Sequence, residues 1–347
     1  MLNYLRILLL PFSLIYSMII SIRNFLYSKE FLRSYRISKP VVSIGNISTG
    51  GTGKSPFTIL LTEILIKLNL KPAIISRGYK SKSDEMEIVF NGSEITCTVD
   101  KCGDEPMMIS RNLSDNYKDF YVLTSKDRVK ASNYVIDKFN PDLIILDDAY
   151  QHRKIKRNLD IVLIDAEDML NNKFINSFTI PAGNLRENLN SLSGADIIIQ
   201  NNKFTDFQRI EKLKKFNKEI FILNYQVKGF FDANNNPVNI TGKDVCAFAG
   251  IAQPDSFFKK FEDYDCNLAD TISFRDHMHY HKDDIYRITL KASKETLFIT
   301  TEKDFVKIKE FSDFINYFSV LFMKIELILD DKDKFISLVK KYITQIK

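Results

Sequence analysis

The sequence is poor in cysteine, with four cysteines among its 347 residues, at positions 97, 102, 246 and 266. No Cys-x-x-Cys pair occurs, and the cysteines are too few for the disulfide framework of a small secreted protein. We therefore expect reduced thiols in a cytosolic protein. Cys97 and Cys102 are near enough in sequence to share a metal ion. Neither a histidine nor a second cysteine pair stands beside them, which disfavours that alternative.

A concentrated charge of one sign is also missing. The formal net charge is +5, and the lysines and arginines are spread along the chain. Nucleic-acid-binding proteins gather basic residues on one surface, so we predict no nucleic-acid partner. Hydrophobic residues make up 45% and charged residues 27%, as in soluble globular proteins, and the length is sufficient for two domains. No obligate protein partner is predicted.

The most apolar segment is residues 1–27, where no charge appears among the 16 residues from Ile7 to Ile22. As a helix, that run is about 24 Å long, short of a hydrocarbon core of ~30 Å. Pro11 weakens a spanning helix further, and no cleavage site of a signal peptide follows. We predict a helix that lies in the membrane interface. A buried core helix and a true membrane span are the alternatives.

A glycine-rich loop follows the first predicted strand, Val41 to Ile44, and precedes a helix that begins near Lys54. In this order the backbone N–H groups and the helix N-terminus can hold phosphate oxygens. The lysine would reach the β and γ phosphates of a nucleotide, and the hydroxyl of Ser55 would bind Mg²⁺. The usual opening glycine is replaced by Ser48. A glycine-rich turn without nucleotide is the alternative. The predicted ATP-binding residues are Ser48, Thr49, Gly50, Gly51, Thr52, Gly53, Lys54 and Ser55.

Two aspartates, Asp147 and Asp148, follow four apolar residues at 143–146. This is the Walker B pattern, which delivers a carboxylate to Mg²⁺ at the carboxyl end of a buried parallel strand. Many strands end in aspartate, so the pattern gains weight only from the phosphate loop upstream. We predict Mg²⁺ ligands among Ser55, Asp147 and Asp148.

Several charged residues near predicted strand or helix ends are further candidates. Arg77 and Tyr79 follow the second strand, beside the phosphate loop of a parallel sheet, where they could hold an anionic substrate. A surface arginine and a packing tyrosine are the alternative. Asp104 begins a helix in Gly-Asp-Glu-Pro, as a helix cap or as a base that accepts a hydroxyl proton. Arg186 and Glu187 precede a short helix, where Glu187 can simply match the helix dipole.

The order of predicted elements indicates an α/β fold with a doubly wound, P-loop NTPase-like parallel sheet. We also predict a hairpin at 87–90 and 94–99 and a helix near 206–217. Residues 225–239 contain an Asn-Asn-Asn-Pro turn between two short extended runs, which predicts a hinge or a two-stranded linker before a smaller C-terminal α/β domain. The predicted division is a membrane-interface helix at 1–27, a P-loop kinase domain at 28–224, a linker at 225–239 and a C-terminal domain at 240–347.

Three of the four histidines lie close together, at positions 277, 279 and 281. Alternate residues of a strand share a face, so they could bind a metal ion. No cysteine or carboxylate completes a zinc set nearby. We favour instead a catalytic or orienting role for His277, beside Asp276.

Eight blocks resemble, in order, the tetraacyldisaccharide 4'-kinase family, the lipid A 4'-kinases of Gram-negative bacteria. They are GNISTGGTGKSP (45–56), SRGY (76–79), GDEP (103–106), DDAYQHR (147–153), PAGNLRE (181–187), GIAQP (250–254), FRDHMHY (274–280) and TTEKD (300–304). The family commonly has Gly-Phe where this chain has Ala149 and Tyr150. Met278 replaces the second of two histidines, and Lys80 replaces a glycine.

The resemblance implies an enzyme at the cytoplasmic face of the bacterial inner membrane. It would use ATP and Mg²⁺ to phosphorylate the 4'-hydroxyl of tetraacyldisaccharide 1-phosphate, a lipid A precursor. By the same resemblance, Asp104 is the catalytic base, His277 orients it, and Lys54 acts on the phosphates. The lipid headgroup would contact Arg77, Tyr79, Arg186 and Glu187.

The main alternative is a membrane-associated P-loop ATPase of the partitioning or maturation type. Such proteins usually carry a second lysine just before the paired glycines, where this chain has Thr49. They also lack the Gly-Asp-Glu-Pro and Asp-His blocks.

Overall fold

The structure is a computed structural model that describes residues 6–78, 85–170, 177–276, 278–291 and 295–344. The described helices are α1 (Leu10–Ser28), α2 (Lys54–Lys67), α3 (Val99–Cys102), α4 (Asp104–Ser114), α5 (Arg128–Phe139), α6 (Ala166–Leu170), α7 (Glu211–Lys214), α8 (Pro254–Phe258), α9 (Lys282–Thr289), α10 (Glu302–Ile308), α11 (Ser312–Tyr317) and α12 (Lys332–Thr344). Short 3₁₀ helices occupy Leu189–Gly194 and Lys259–Asp263.

The strands are β1 (Val41–Asn46), β2 (Pro72–Ser76), β3 (Glu87–Phe90), β4 (Tyr121–Thr124), β5 (Leu143–Leu146), β6 (Leu159–Asp165), β7 (Ile197–Lys203), β8 (Glu219–Phe231), β9 (Pro237–Val238), β10 (Asp244–Ala249), β11 (Asn267–Ser273), β12 (Leu297–Thr301) and β13 (Val320–Leu329). Within the described ranges they form one sheet, in the order β11-β10-β12-β13-β8-β7-β6-β1-β5-β2-β4-β3, with β9 beside β8. The predicted α/β class and the parallel arrangement around the phosphate loop are confirmed.

The parallel strands of the N-terminal half are covered on both faces. All six residues of β1 are buried, including the polar Ser43 and Asn46, so both faces of this strand are covered and its apolar residues do not alternate with exposed ones. Phe57 of α2, Ile109 of α4 and Phe335 of α12 belong to the apolar cluster on one face. Helix α5 contributes Val135 to the cluster on the other face. The phosphate loop therefore leaves a rigid strand and enters a packed helix.

The two predicted units share the sheet through β8. The first part of this 13-residue strand pairs parallel with β7, and Leu223 to Phe231 pair antiparallel with β13. Residues 225–231 of the predicted linker therefore belong to a strand, and β8 and β9 form the two-stranded part that follows. Although α12 lies in the predicted C-terminal domain, its Phe335 packs on the N-terminal half. The division at 225–239 stays a prediction.

Two local predictions were wrong in extent. Residues 94–99 form no strand; Ile95 makes a single bridge to Phe90, because the Asn91 side chain accepts the backbone N–H groups of the next residues and closes a turn. The helix near 206–217 contains only α7. Its expected first turn is irregular because the buried side chains of Gln200 and Asn202 bind backbone groups at 207, 208 and 210.

Candidate active site

The phosphate loop has the backbone shape that its glycines predict. Gly50 and Gly53 have φ angles of 110° and 84°, which residues with a Cβ rarely adopt. At Gly53 a Cβ would also overlap the hydroxyl of Tyr225 and the amide of Asn201. Asn201 donates to the carbonyl oxygen of Thr52 at 2.9 Å. The loop is thus held open by a neighbouring strand, with α2 beginning at its end.

Lys54 lies beside the second aspartate of the Walker B pattern. Its Nζ is 3.6 Å from Oδ1 of Asp148, and Nη1 of Arg186 is 2.9 and 3.0 Å from the two oxygens of the same carboxylate. Burial acts to raise the pKa of Asp148, but Lys54 and Arg186 outweigh it and hold that pKa below its usual value. Asp148 also has a φ of 46°, a strained conformation that is typical of functional sites.

Asp147 presents a buried oxygen without a hydrogen bond. Its Oδ1 accepts from the Thr58 hydroxyl at 3.1 Å, whereas Oδ2 has no hydrogen-bond partner among the described residues. Burial, together with the nearby charges of Glu105 and Asp148, raises the pKa of Asp147 to about 7. Buried polar atoms are normally paired, and carboxylate oxygens are the donors that Mg²⁺ prefers. The donor set therefore fits a magnesium ion. We call Lys54, Asp147, Asp148 and Arg186 the phosphate-loop site.

Asp104 lies at a second group of charges, where the two halves of the chain meet. It is the first residue of α4, is 8% exposed, and has an oxygen 3.7 Å from Nζ of Lys307 in α10. The N-cap of α4 is Gly103, which has no side chain, and Asp104 Oδ1 accepts the backbone N–H of Glu105 at 3.0 Å, so Asp104 contacts both the first turn of its helix and Lys307. Lys307 is also 3.1 Å from Oδ1 of the fully buried Asp304. We call Asp104, Asp304 and Lys307 the base site.

Lys303, one turn before Lys307, extends the base site. It forms an ion pair with Asp276 at 3.3 Å. Burial acts to lower the pKa of Lys303, but the carboxylates of Glu105, Asp104 and Asp276 raise it above its usual value. Sequence reasoning assigned no role to either lysine of α10. A signal was present, because a lysine in the first turn of a helix opposes the helix dipole and needs compensating carboxylates.

Arg186 and Glu187 connect the phosphate-loop site to the N-terminal helix. Glu187 is 1% exposed and accepts hydrogen bonds from Arg23 and Asn24 of α1, both at 3.1 Å. The hydroxyl of Tyr16 in α1 donates to the Arg186 carbonyl at 3.1 Å. In this structure Glu187 therefore holds α1, while Arg186 reaches Asp148.

The remaining predicted residues are placed as follows. Arg77 is exposed directly after β2, at the carboxyl edge of the sheet. Ser55 is buried in the first turn of α2. Tyr79 and His277 lie outside the described residues. No cluster of three or more His, Cys, Asp or Glu side chains that could hold a metal ion occurs in the described ranges, which include His279, His281 and all four cysteines.

The Ala149-Tyr150 segment is locked against β1. Tyr150 is fully buried, and its hydroxyl donates to the Ser191 carbonyl. A Cβ at Gly45 would lie 2.6 Å from Cβ of Tyr150, so the tyrosine requires glycine at that strand position. Gln151 donates to the Asn46 carbonyl at 2.7 Å. These contacts fix the backbone that carries the two aspartates.

A family model described as tetraacyldisaccharide-1-P 4'-kinase matches residues 5–344 of the chain. A tetraacyldisaccharide 4'-kinase of Chlorobium phaeobacteroides is 35% identical over 337 residues, which is 92% of each protein. One from Chlorobium chlorochromatii is 34% identical over 320 residues, covering 88% of this chain and 84% of the relative.

A solved structure is similar over almost the whole chain. It is the crystal structure of LpxK from Aquifex aeolicus in complex with ATP, with a TM-score of 0.79 and 29% identity. The match covers 98% of this chain and 99% of the other. The similarity thus includes α1 and both halves of the sheet.

Proposed function

The chain belongs to the tetraacyldisaccharide-1-P 4'-kinase family, and we propose that the phosphate-loop site and the base site are the two ends of its active site. It is an ATP-dependent enzyme of lipid A biosynthesis that phosphorylates the 4'-hydroxyl of a tetraacyldisaccharide. The observation that carries the proposal is the pairing of Lys54 with Asp148 beside the unpartnered oxygen of Asp147.

At the phosphate-loop site, residues 48–55 bind the phosphates of ATP. The open backbone at Gly50 and Gly53 supports this role, because N–H groups of such a loop and of the helix N-terminus can face phosphate oxygens. Lys54 neutralises charge on the β and γ phosphates. Ser55, Asp147 and Asp148 hold Mg²⁺, which supplies further charge neutralisation on the phosphate oxygens.

At the base site, Asp104 accepts the proton of the 4'-hydroxyl. The sugar oxygen then forms a bond to the γ-phosphorus, the bond from that phosphorus to the bridging oxygen breaks, and ADP leaves with the electron pair. Asp104 is buried at the start of α4 and faces cations that favour its ionised form, which supports the assignment. We assign the orienting role to His277, next to Asp276, and headgroup contacts to Arg77, Tyr79 and Arg186. We also assign Glu187 to the headgroup site, where it acts through its neighbour Arg186.

Helix α1 brings the enzyme to its lipid substrate at the cytoplasmic face of the inner membrane. Among the described residues, α1 alone is long and apolar enough to cross a membrane, by length and composition only. Its apolar side chains face solvent: Phe12, Leu14 and Met18 are 61%, 66% and 57% exposed. Polar contacts to the body hold it at both ends, through Ser13 and through Arg23. A helix fixed to the body at both ends lies along a membrane surface, so we place it in the interface.

The test is transfer of labelled phosphate from ATP to tetraacyldisaccharide 1-phosphate in mixed micelles. We expect labelled lipid only when the acceptor and Mg²⁺ are both present, and a rate that depends on the surface concentration of lipid in the micelle. Hydrolysis of ATP without labelled lipid would contradict the proposal and support the P-loop ATPase alternative.

A further inference from the structure

We propose that Lys307 is a positioning residue for the base Asp104. Its ammonium group keeps the Asp104 carboxylate ionised and oriented toward the acceptor hydroxyl, and α10 of the C-terminal half holds that ammonium group in place. The inference rests on the proposed role of Asp104 as the base. The observation that suggests it is a buried chain of charges, Asp104–Lys307–Asp304, which links α4 to α10.

The surroundings of Lys307 fix the position of its Nζ. The side chain is 6% exposed. Its Nζ donates a hydrogen bond to the carbonyl oxygen of Met278 at 3.2 Å, and it forms ion pairs with Asp304 Oδ1 at 3.1 Å and Asp104 Oδ2 at 3.7 Å. Nζ also lies 5.5 Å from the centre of the Tyr280 ring. A lysine with such restricted freedom acts as a fixed charge rather than a flexible surface group.

Asp304 is itself held in place. Its Oδ2 accepts from the backbone N–H of Gly250 and from the hydroxyl of Thr301, each at 2.8 Å. Because Asp304 is fully buried, its negative charge needs a positive charge nearby, and Lys307 provides one. Gly250, directly after β10, therefore holds Asp304, Asp304 holds Lys307, and Lys307 contacts Asp104.

Lys307 also ties the base to the segment that carries the orienting histidine. Met278, whose carbonyl oxygen it binds, directly follows position 277 in the chain. Lys307 thus contacts Asp104 and the residue that follows position 277, although it belongs to neither of the sequence blocks that contain them.

A base in phosphoryl transfer needs correct placement more than strength, because the transition state has little bond formation to the attacking oxygen. An adjacent cation keeps the carboxyl ionised at neutral pH, and an opposite charge within 4–6 Å lowers a carboxyl pKa by about 1–3 units. Among the described residues, Lys303 of α10 also interacts with the charge of Asp104, and Lys303 in turn interacts with Glu105, Asp276 and Asp304. Asp147 of the β5 end faces Glu105.

The experiment measures single-turnover lipid phosphorylation at saturating ATP and Mg²⁺ as a function of pH, for wild type, Lys307→Met, Lys307→Arg, Asp104→Asn and the control Lys309→Met. Lys309 is exposed two residues further on, and its Nζ donates a hydrogen bond to the carbonyl oxygen of Ala233 at 3.2 Å. We expect Lys307→Met to lower the rate by roughly 10- to 100-fold, since displacement of a reacting group by about 1 Å costs that much.

The pH profile separates positioning from a general structural role. Activity requires ionised Asp104, so it rises as pH rises through the pKa of that carboxyl. Loss of the Lys307 charge raises this pKa, and the rising limb should move up by about 1 unit in Lys307→Met. Lys307→Arg should restore the limb while keeping a reduced rate. Lys309→Met should match wild type in both.

A wild-type rate for Lys307→Met, or a lower rate with an unmoved limb, would overturn the inference. If Lys307→Met does not fold, the double variant Lys307→Met/Asp304→Asn also removes the buried charge of Asp304 that the first change leaves unpaired. The single-turnover rate and the rising limb of the pH profile are then measured on the double variant. Wild-type activity of Asp104→Asn would instead refute the base assignment itself. An inactive Asp104→Asn with an unaffected Lys307→Met would refute only the role of Lys307.

Discussion

The phosphate-loop site and the base site are built in different ways. Every charged side chain of the phosphate-loop site comes from the N-terminal half, and Asp148 and Arg186 are about 30% exposed there. The base site joins Asp104 of that half to Lys307 and Asp304 of the other, and all three are buried. One end of the active site is therefore complete within one half of the sheet, whereas the other depends on how the halves dock.

The largest expected effect is at the phosphate-loop site. Lys54→Met removes the cation beside Asp148, and we expect kcat/KM for ATP to fall roughly 10³-fold, with weaker ATP binding. Titration calorimetry with ATP and a lipid phosphorylation assay would measure both. Lys67→Met, at the exposed far end of the same helix, is the matched control. If Lys54→Met bound ATP as tightly as wild type, the assignment of ATP binding to the phosphate-loop site would be contradicted.

The proximity of Lys54 and Asp148 could be predicted from the sequence, because each follows the end of a parallel strand and such ends meet at one edge of the sheet. The contact of Arg186 with Asp148 could not be predicted, since 38 residues separate them. Lys303 and Lys307 were missed for a similar reason: their importance comes from α4, about 200 residues away in sequence. Nor could the sequence show that β8 joins both halves in one sheet, because a strand looks the same whichever neighbours it pairs with.

A moderate effect on stability is expected at Glu302, the first residue of α10, which lies near α4 where the two halves of the chain meet. Burial raises its pKa to about 7 from 4.5, while Lys324 and the side chain of Asn112 in α4 act in the opposite direction. Between pH 4.5 and about 7 the folded state then binds more protons than the unfolded state. The free energy of unfolding therefore falls as pH rises through this range, whereas below it Glu302 is protonated in both states and costs nothing. Glu302→Gln should be roughly 2 kcal/mol more stable than wild type at pH 8 and similar at pH 4.

Urea unfolding at the two pH values measures this difference. Glu310→Gln, an exposed change just after α10, serves as the control and should leave the pH dependence intact. An equal pH dependence of Glu302→Gln and wild type would show that the junction does not restrain this carboxyl.

The smallest effect is expected where α1 meets the phosphate-loop site. Glu187→Gln weakens the contact with Arg23, and a charge-assisted hydrogen bond of this kind is worth about 1 kcal/mol. We expect the KM for lipid in micelles to rise about 3- to 10-fold with kcat for ATP-saturated enzyme little changed. Glu30→Gln, which breaks the exposed pair with Lys156, is the control. A loss of kcat rather than a rise in KM would place Glu187 in the chemistry instead.

We expect the phosphate-loop site to bind ATP independently of the base site, and Asp104 to act only in the chemical step. The most direct test is Asp104→Asn, measured for ATP binding and for single-turnover phosphate transfer to tetraacyldisaccharide 1-phosphate in the same preparation. We expect an ATP dissociation constant within about 3-fold of wild type and a transfer rate lowered by at least about 10²-fold. Transfer at the wild-type rate, or loss of ATP binding in step with the loss of transfer, would contradict this expectation.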